Sequence, residues 1–369
     1  MTVRSIVEAL GLEVLNQADP DREVTSAYAS DLLSDVMAHA SPGALWLTLQ
    51  THSNVAAVAA LKELIVLLVN GRNPDSDMLE RASEHKVTVL RTSLPAFEAA
   101  GRLYALGLRG GGMMRVWRAD LHVHTCLSPC ADLSMSPRTI VAAALERGLD
   151  AIGVADHNSA GNIPAVVGAA RQTRLAVLPA MEITSREEVH ILAIFGDLEA
   201  ARAMQEVVYQ RLPGENQPEI FGLQVLVNED HDVLGFEPRL LAGATEMSVS
   251  EIVQRVHALG GLAIAAHADR EAFGLLGHLG FVPPDLALDA VELSPHMPAA
   301  EFRKRWPECA ALAVVRSSDA HWPEQIGACT TSFRLQRITV DELRQAFARR
   351  AGRCVVNEGN EGASEPWRN

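Results

Sequence analysis

The chain has 369 residues, 48% of them hydrophobic and 21% charged, which leaves room for two domains with ordinary globular cores. A formal charge of −14 disfavours tight, non-specific binding of nucleic acid, and five cysteines without a repeating framework exclude a disulfide scaffold and point to a reducing compartment, by default the cytoplasm. The longest apolar stretch, residues 55–69, is broken by Lys62 and Glu63 with no cleavable signal before it, so neither a spanning helix nor a membrane partner is expected.

In chain order, residues 44–48, 65–69 and 88–90 read as strands, with helices over 54–63, 76–85 and 94–104. This βαβα order predicts a small α/β domain with a parallel sheet over residues 1–108. Two polar loops follow its strands, Gln50-Thr-His-Ser-Asn54 and Asn70-Gly-Arg-Asn-Pro-Asp75. Either they present N–H groups to a nucleotide or anion effector, or their Asn and Ser residues serve as turns and helix caps. The stretch Tyr28-Ala-Ser-Asp-Leu-Leu-Ser-Asp-Val-Met37, with Leu-Gln-Thr-His and Val-Asn-Gly-Arg, resembles the DRTGG domains, small modules of regulatory character; the Arg-Thr-Gly-Gly signature itself is absent.

Gly-Leu-Arg-Gly-Gly-Gly at 107–112 cannot hold regular structure, which places a linker at 109–114. A second domain is expected over 115–357, followed by a loose tail at 358–369. Its strands read at 116–124, 151–156, 175–182, 189–195, 262–267, 290–293 and 313–318, and its helices at 137–147, 162–172, 199–209, 250–259 and 340–350. A hairpin, 223–227 with 233–236, interrupts the pattern as an insertion near 219–243. About seven parallel strands alternating with helices predict a distorted (β/α) barrel.

Short His, Asp and Glu clusters sit where these strands end: His122-Val-His124, Asp156-His157, Glu182, His267 and Asp319-Ala-His321. His190 instead opens its strand. Strand ends of a barrel converge on one face, and imidazole plus carboxylate without a thiolate set suits two or three divalent ions, Mn²⁺, Fe²⁺ or Zn²⁺. Six of the thirteen histidines fall in these positions, too many for a purely structural explanation. Cys126 and Cys130 read as buried thiols, because such a centre does not need sulfur. His231 and His257 read as solvated or packed, and His296 as a substrate contact.

Asp120-Leu-His-Val-His-Thr125, Ala155-Asp-His-Asn158, Pro179-Ala-Met-Glu182, Val189-His-Ile-Leu192, Ala265-Ala-His-Ala-Asp-Arg270 and Ser317-Ser-Asp-Ala-His321 resemble the ordered motifs of the PHP (polymerase and histidinol phosphatase) family over residues 115–335. The resemblance implies a distorted (β/α)₇ barrel with a trinuclear metal centre that hydrolyses phosphate esters. It further implies one ion on His122, His124, Glu182 and Asp319, and a second sharing Glu182 with His190 and His267. A third would use Asp132, His157 and His321. One departure is that Ser128-Pro-Cys-Ala-Asp132 stands where the family has Ser-Asp-Gly; counting back from Pro137 puts Asp132 in the ligand position.

On this reading Glu182 bridges two ions that share a hydroxide, Asp156 orients a ligand, and Arg270 is either a phosphate clamp or a surface salt bridge. The expected substrate is a small phosphorylated metabolite or nucleotide. Nuclease action ranks second, because tracking a long nucleic acid needs a basic groove. A ligand-sensing regulatory protein with a structural metal site is the alternative outside the enzyme class. Oligomeric state is not visible in the sequence.

Overall fold

The computed structural model describes residues 1–108, 110, 114–283 and 286–356. The chain divides into two compact units, Met1–Met113 and Met114–Asn369. The linker expected at 109–114 falls outside the described residues except for Gly110 and Met114, and the loose tail expected at 358–369 falls outside them entirely. No helix among the described residues is long and apolar enough to cross a membrane.

The first unit is a sheet of β1 (Glu13–Asn16), β2 (Ser26–Ala29), β3 (Ala44–Thr48), β4 (Ile65–Leu68) and β5 (Val89–Arg91), in the order β1-β5-β4-β3-β2. Strands β2 to β5 are parallel, while β1, which like β2 was not expected from the sequence, joins the β5 edge antiparallel. Strands β3 and β4 are buried along their whole length because both faces are covered. Alternate residues serve opposite layers: Leu45, Leu47, Ile65 and Leu67 pack with helices Val3–Leu10 and Ala96–Ala105, and Trp46, Val66 and Leu68 with helices Leu33–His39, Ser53–Leu61 and Ser76–Glu84. The second polar loop uses its donors internally, and in the first Gln50 N–H donates to Thr48 Oγ1. Asp75 N–H donates to Thr51 O, Gly71 N–H to Thr92 O and Asn70 N–H to Leu94 O, while Asn70 Oδ1 accepts from Ala96 N. These three N–H groups are thus not offered to an effector, although neither His52 nor Asp75 caps its helix through a side chain.

The second unit contains β6 (Arg115–Val123), β7 (Ala151–Val154), β8 (Ala176–Thr184), β9 (His190–Ile194), β10 (Val225–Val227), β11 (Val233–Phe236), β12 (Leu262–Ala265), β13 (Ala290–Glu292), β14 (Ala313–Val315), β15 (Thr331–Leu335) and β16 (Cys354–Val355). Strands β10 and β11 form a separate antiparallel hairpin. The other nine make one sheet, β14-β13-β12-β9-β8-β7-β6-β15-β16. It curls into a nearly closed α/β barrel. After β14 the chain returns beside β6, where His124 N–H donates to Ala320 O, and the buried Asp120 carboxylate accepts from Ser318 N, Ser318 Oγ and Gly327 N.

The strands are not all parallel. Strand β9 runs antiparallel to both β8 and β12, and β15 and β16 add antiparallel beyond β6. The reversal of β9 explains why His190 begins its strand: the N-terminal end of a reversed strand lies at the same rim as the C-terminal ends of its neighbours.

Apolar residues separate into two layers. Ala119, Leu121, Ala151, Leu178, Ala180, Leu192, Ile194, Leu262, Ile264 and Ala290 share the cluster that excludes the outer helices and is closed by helix Val340–Phe347. Val154, Met181, Ile183, Ile191, Ala193, Ala263 and Val291 pack outward on those helices. On strict alternation His122 would share the outward face, opposite to Leu121. A β-bulge between Asp120 and Val123 shifts the pairing with β7 by one residue, sends Val123 outward and brings His122 and His124 inward. Gly153 makes room for it, since a Cβ there would run into the Leu121 carbonyl oxygen.

Gly153→Ala is therefore expected to destabilise the barrel by about 1–3 kcal/mol, as overpacking against backbone does. Urea unfolding followed through the barrel tryptophans measures it; an unchanged midpoint would contradict the packing of the bulge on Gly153.

Candidate metal centre

Inward parity places Glu182 on β8 in line with Leu178 and Ala180, beneath the rim and only 1% exposed. Five imidazoles surround its carboxylate. His190 Nδ1 and His267 Nε2 lie 2.7 and 3.0 Å from Oε1, while His157 Nδ1, His122 Nε2 and His124 Nε2 lie 3.0, 3.4 and 3.4 Å from Oε2. Asp319 Oδ1 completes the second side at 3.2 Å from His124 Nε2 and 3.6 Å from His122 Nε2. Two of these residues have left-handed backbones, His267 at φ 29° and Asp319 at φ 52°. His267 lies in the turn after β12 and Asp319 in the segment between β14 and the bridge residue Ala320, and such strain persists only where the surroundings enforce it.

A ring of buried polar groups fixes the imidazoles from behind. His122 Nδ1 lies 3.2 Å from Glu292 Oε1, on β13. Asp156 accepts from Thr125 N, Thr125 Oγ1 and Ser128 Oγ, and Ser128 Oγ in turn lies 2.9 Å from His124 Nδ1. His321 Nδ1 lies 2.7 Å from Asp319 O. In each case the outward nitrogen has an acceptor, which makes Nδ1 the protonated one and leaves the Nε2 lone pair free to face the centre.

His122 Nε2, His157 Nδ1 and Glu182 Oε2 are buried without any hydrogen-bond partner. Polar atoms this close that do not satisfy one another are a poor arrangement for an empty core and a good one for ligating cations. The donor sets His122/His124/Glu182/Asp319, His157/Glu182/His190 and His124/His157/His321 each lie within 4.8 Å, so these residues fit divalent ions.

Burial would raise the Glu182 carboxyl, but His190, His122 and His157 hold it well below its usual range. Burial opposes charge on His122 and His157, yet Glu182 in both cases, with Glu292 and Asp319 for His122 and Cys130 for His157, raises them well above 6.5. At His124 burial, with the neighbouring His321 and His157 imidazoles, outweighs Asp319 and Glu182, and it falls to about 3. Asp120 is pushed up to about 6 by burial, partly offset by its hydrogen bonds.

Most of the residues singled out from the sequence meet here: His122, His124, His157, Glu182, His190, His267, Asp319 and His321. Asp132 does not. It is exposed, and its Oδ1 accepts from Ser134 N, two residues on, in a turn typical of aspartate. The side chain that reaches His321 is Cys130, whose Sγ lies 3.1 Å from Nε2 and which is exposed, not the buried thiol expected; Cys126 is buried as expected, against Val225 and Val227. Burial raises the Cys130 thiol, but hydrogen bonds with His157 and His321 bring it down to about 7. The Asp156 carboxylate reaches the centre through Ser128, and its main-chain oxygen accepts from Glu182 N–H. Arg270 is 42% exposed with Nη1 2.6 Å from Asp319 Oδ2, so it is neither a free clamp nor a remote surface bridge. His296 is exposed in the loop after β13 and lies outside the donor sets. Glu292 escaped notice in the sequence, although a lone carboxylate at an inward position of an apolar strand was a readable signal.

In the metal-free protein, protons bound by His122, His157 and His321, all raised, stabilise the fold fully below pH 6.5, and that contribution is lost as pH rises through their folded values. Cys130, lowered from 9.0 to about 7, offsets part of the loss between those values. The urea midpoint of chelator-treated protein should therefore fall from pH 6.5 to 9; a rising midpoint would contradict protonated imidazoles around Glu182.

No curated protein matches the chain. Among solved structures, a lesion-specific endonuclease from Pyrococcus furiosus is 20% identical, with a TM-score of 0.48 over 65% of this chain and 58% of its own. An endonuclease Q in complex with a 27-mer duplex carrying an abasic lesion has a TM-score of 0.49 at 20% identity, again over 65% and 58%. A candidate metal-dependent phosphoesterase from Bifidobacterium adolescentis is 20% identical at a TM-score of 0.37, over 55% of this chain and 87% of its own. The chain spans 58% of the length of the two endonuclease structures. Residues 120–234 match the family profile of the PHP domain and residues 302–353 that of the PHP-associated segment, and these two matches support the PHP family for the second unit.

Proposed function

We propose that the chain is a divalent-metal-dependent hydrolase of phosphate esters, acting on a small phosphomonoester or nucleotide. The observation that carries this reading is the division of the Glu182 carboxylate, with Oε1 on His190 and His267 and Oε2 on His122, His124 and His157. A carboxylate divided in this way suits two ions held side by side, with the His124/His157/His321 set as a third position. Bound there, divalent ions supply Lewis acidity toward phosphoryl oxygens and lower the pKa of water to near neutrality.

The chain's own residues do the remaining work. Glu292 and the Asp156–Ser128 pair fix the ring orientations of His122 and His124, so those Nε2 atoms need no reorganisation when ligated. Arg270 holds Asp319 through one nitrogen, and its exposed guanidinium keeps further donors for a phosphate oxygen, where charge builds as the ester bond breaks. The buried walls leave the rim as the approach for a substrate. Charge of −14 over the whole chain describes the average surface and not this rim, so phosphodiesters in oligonucleotides are the second substrate class to be tried.

Elemental analysis of purified protein, paired with phosphate release from phosphomonoesters, nucleotides and oligonucleotides, tests the proposal. Two to three ions per chain are expected, and Glu182→Ala should lose the ions flanking it and lower turnover by at least about 10²-fold. Glu292→Gln should keep the ions but weaken their affinity about 10–100-fold, measured by chelator competition. Metal without turnover on any ester would favour a sensing role, and absence of metal would overturn the proposal.

A further inference from the structure

The loop that follows His124 puts sulfur, and not a carboxylate, against the outermost pair of imidazoles. Cys130 Sγ lies 3.1 Å from His321 Nε2, and His157 belongs to the same set of facing nitrogens as His321. His321 Nδ1 is bonded to Asp319 O at 2.7 Å, which leaves the Nε2 lone pair facing the sulfur. His157 Nδ1 is buried without a hydrogen-bond partner, and His124, His157 and His321 present nitrogens within 4.8 Å of one another. The His321 ring stacks on His124 at 4.3 Å, and His124 meets His157 at 4.7 Å between centroids with the rings tilted by 42°.

The loop is held in this shape by its backbone. Ser128 N–H donates to Thr125 O, Ala131 N–H to Ser128 O, and Asp132 N–H to His321 O. The last bond ties the loop to the His321 segment through the Asp132 main chain while the Asp132 carboxylate turns back to Ser134. Cys130 and Cys126 are thereby distinguished: Cys126 Sγ is directed at Val225 O, 3.9 Å away, within an apolar contact of the hairpin.

We propose that Cys130 is a metal ligand, binding as a thiolate with His157 and His321 to a single Zn²⁺ or Fe²⁺ ion. The inference rests on the metal-centre reading above and adds its chemical asymmetry. The positions flanking Glu182 have only nitrogen and oxygen donors, whereas this one combines two nitrogens with one sulfur. Binding releases the thiol proton to solvent as the sulfur–metal bond forms. A thiolate selects the softer ions, so Mn²⁺ and Mg²⁺ are disfavoured at this position even where they occupy the other two.

The test uses the full-length chain loaded with zinc. X-ray absorption at the zinc edge should show a sulfur shell at about 2.3 Å beside the nitrogen and oxygen shell. Cys130→Ala should lose one ion per chain together with the sulfur shell, Cys130→Asp should keep the ion without sulfur, and Cys126→Ala should keep both. Cobalt-loaded protein gives an independent reading: wild type should show a thiolate charge-transfer band that Cys130→Ser lacks. Metal bound with no sulfur shell in the wild type, or a sulfur shell that survives Cys130→Ala, would overturn the thiolate ligand while leaving the Glu182-centred reading intact. Failure of every form to bind metal would overturn both.

Discussion

A carboxylate at 1% exposure with five imidazoles around it is the constraint on which the second unit depends. Burying a charge costs several kcal/mol per ion unless partners with good geometry offset it. Here the partners come from four different strand rims, β6, β7, β9 and β12, so that no local segment could satisfy Glu182 alone. The barrel must be assembled before the site exists. Protons on some of the imidazoles can balance the carboxylates when metal is absent, which makes the charge state of the centre a term in the stability of the whole unit.

Three departures from regular strand geometry serve this cluster. The bulge in β6 turns His122 and His124 inward, and Gly153 gives the displaced Leu121 carbonyl its space. The reversed β9 brings His190 to the same rim as the other ligands from its opposite end. Left-handed backbones at His267 and Asp319 redirect the chain just beyond β12 and β14. A regular eight-stranded parallel barrel has none of these, and each acts at a residue whose side chain meets Glu182 or its neighbours.

Much of this was legible because ligands leave a chemical mark in apolar strands. His122, His157, His267 and Asp319 interrupt or end runs that are otherwise Val, Ile, Leu and Ala, and their order matched a known set of motifs. The alternation of strand and helix gave the barrel class in the same way. The direction of β9 was not readable, since a five-residue apolar strand looks alike in either sense and only its partners' register decides. Strands β15 and β16 were missed because they are short and owe their conformation to pairing with β6 and with each other. The exchange of Asp132 for Cys130 turned on a single loop: motif spacing treats its residues as interchangeable counts, whereas the bond from Asp132 N–H to His321 O sets which side chain faces the rings. In the first unit the polar loops resembled an anion cradle by composition, and long-range hydrogen bonds to Thr51, Thr92 and Leu94 took up donors of the second loop.

The central claim is that Glu182 lies between two cations. Anomalous diffraction from crystals of the protein loaded with zinc or manganese tests it most directly. The account predicts peaks on either side of the Glu182 carboxylate, one among His122, His124 and Asp319 and the other beside His190 and His267. Density confined to the surface, or a Glu182 side chain paired with imidazoles and no peak near it in metal-loaded crystals, would contradict it.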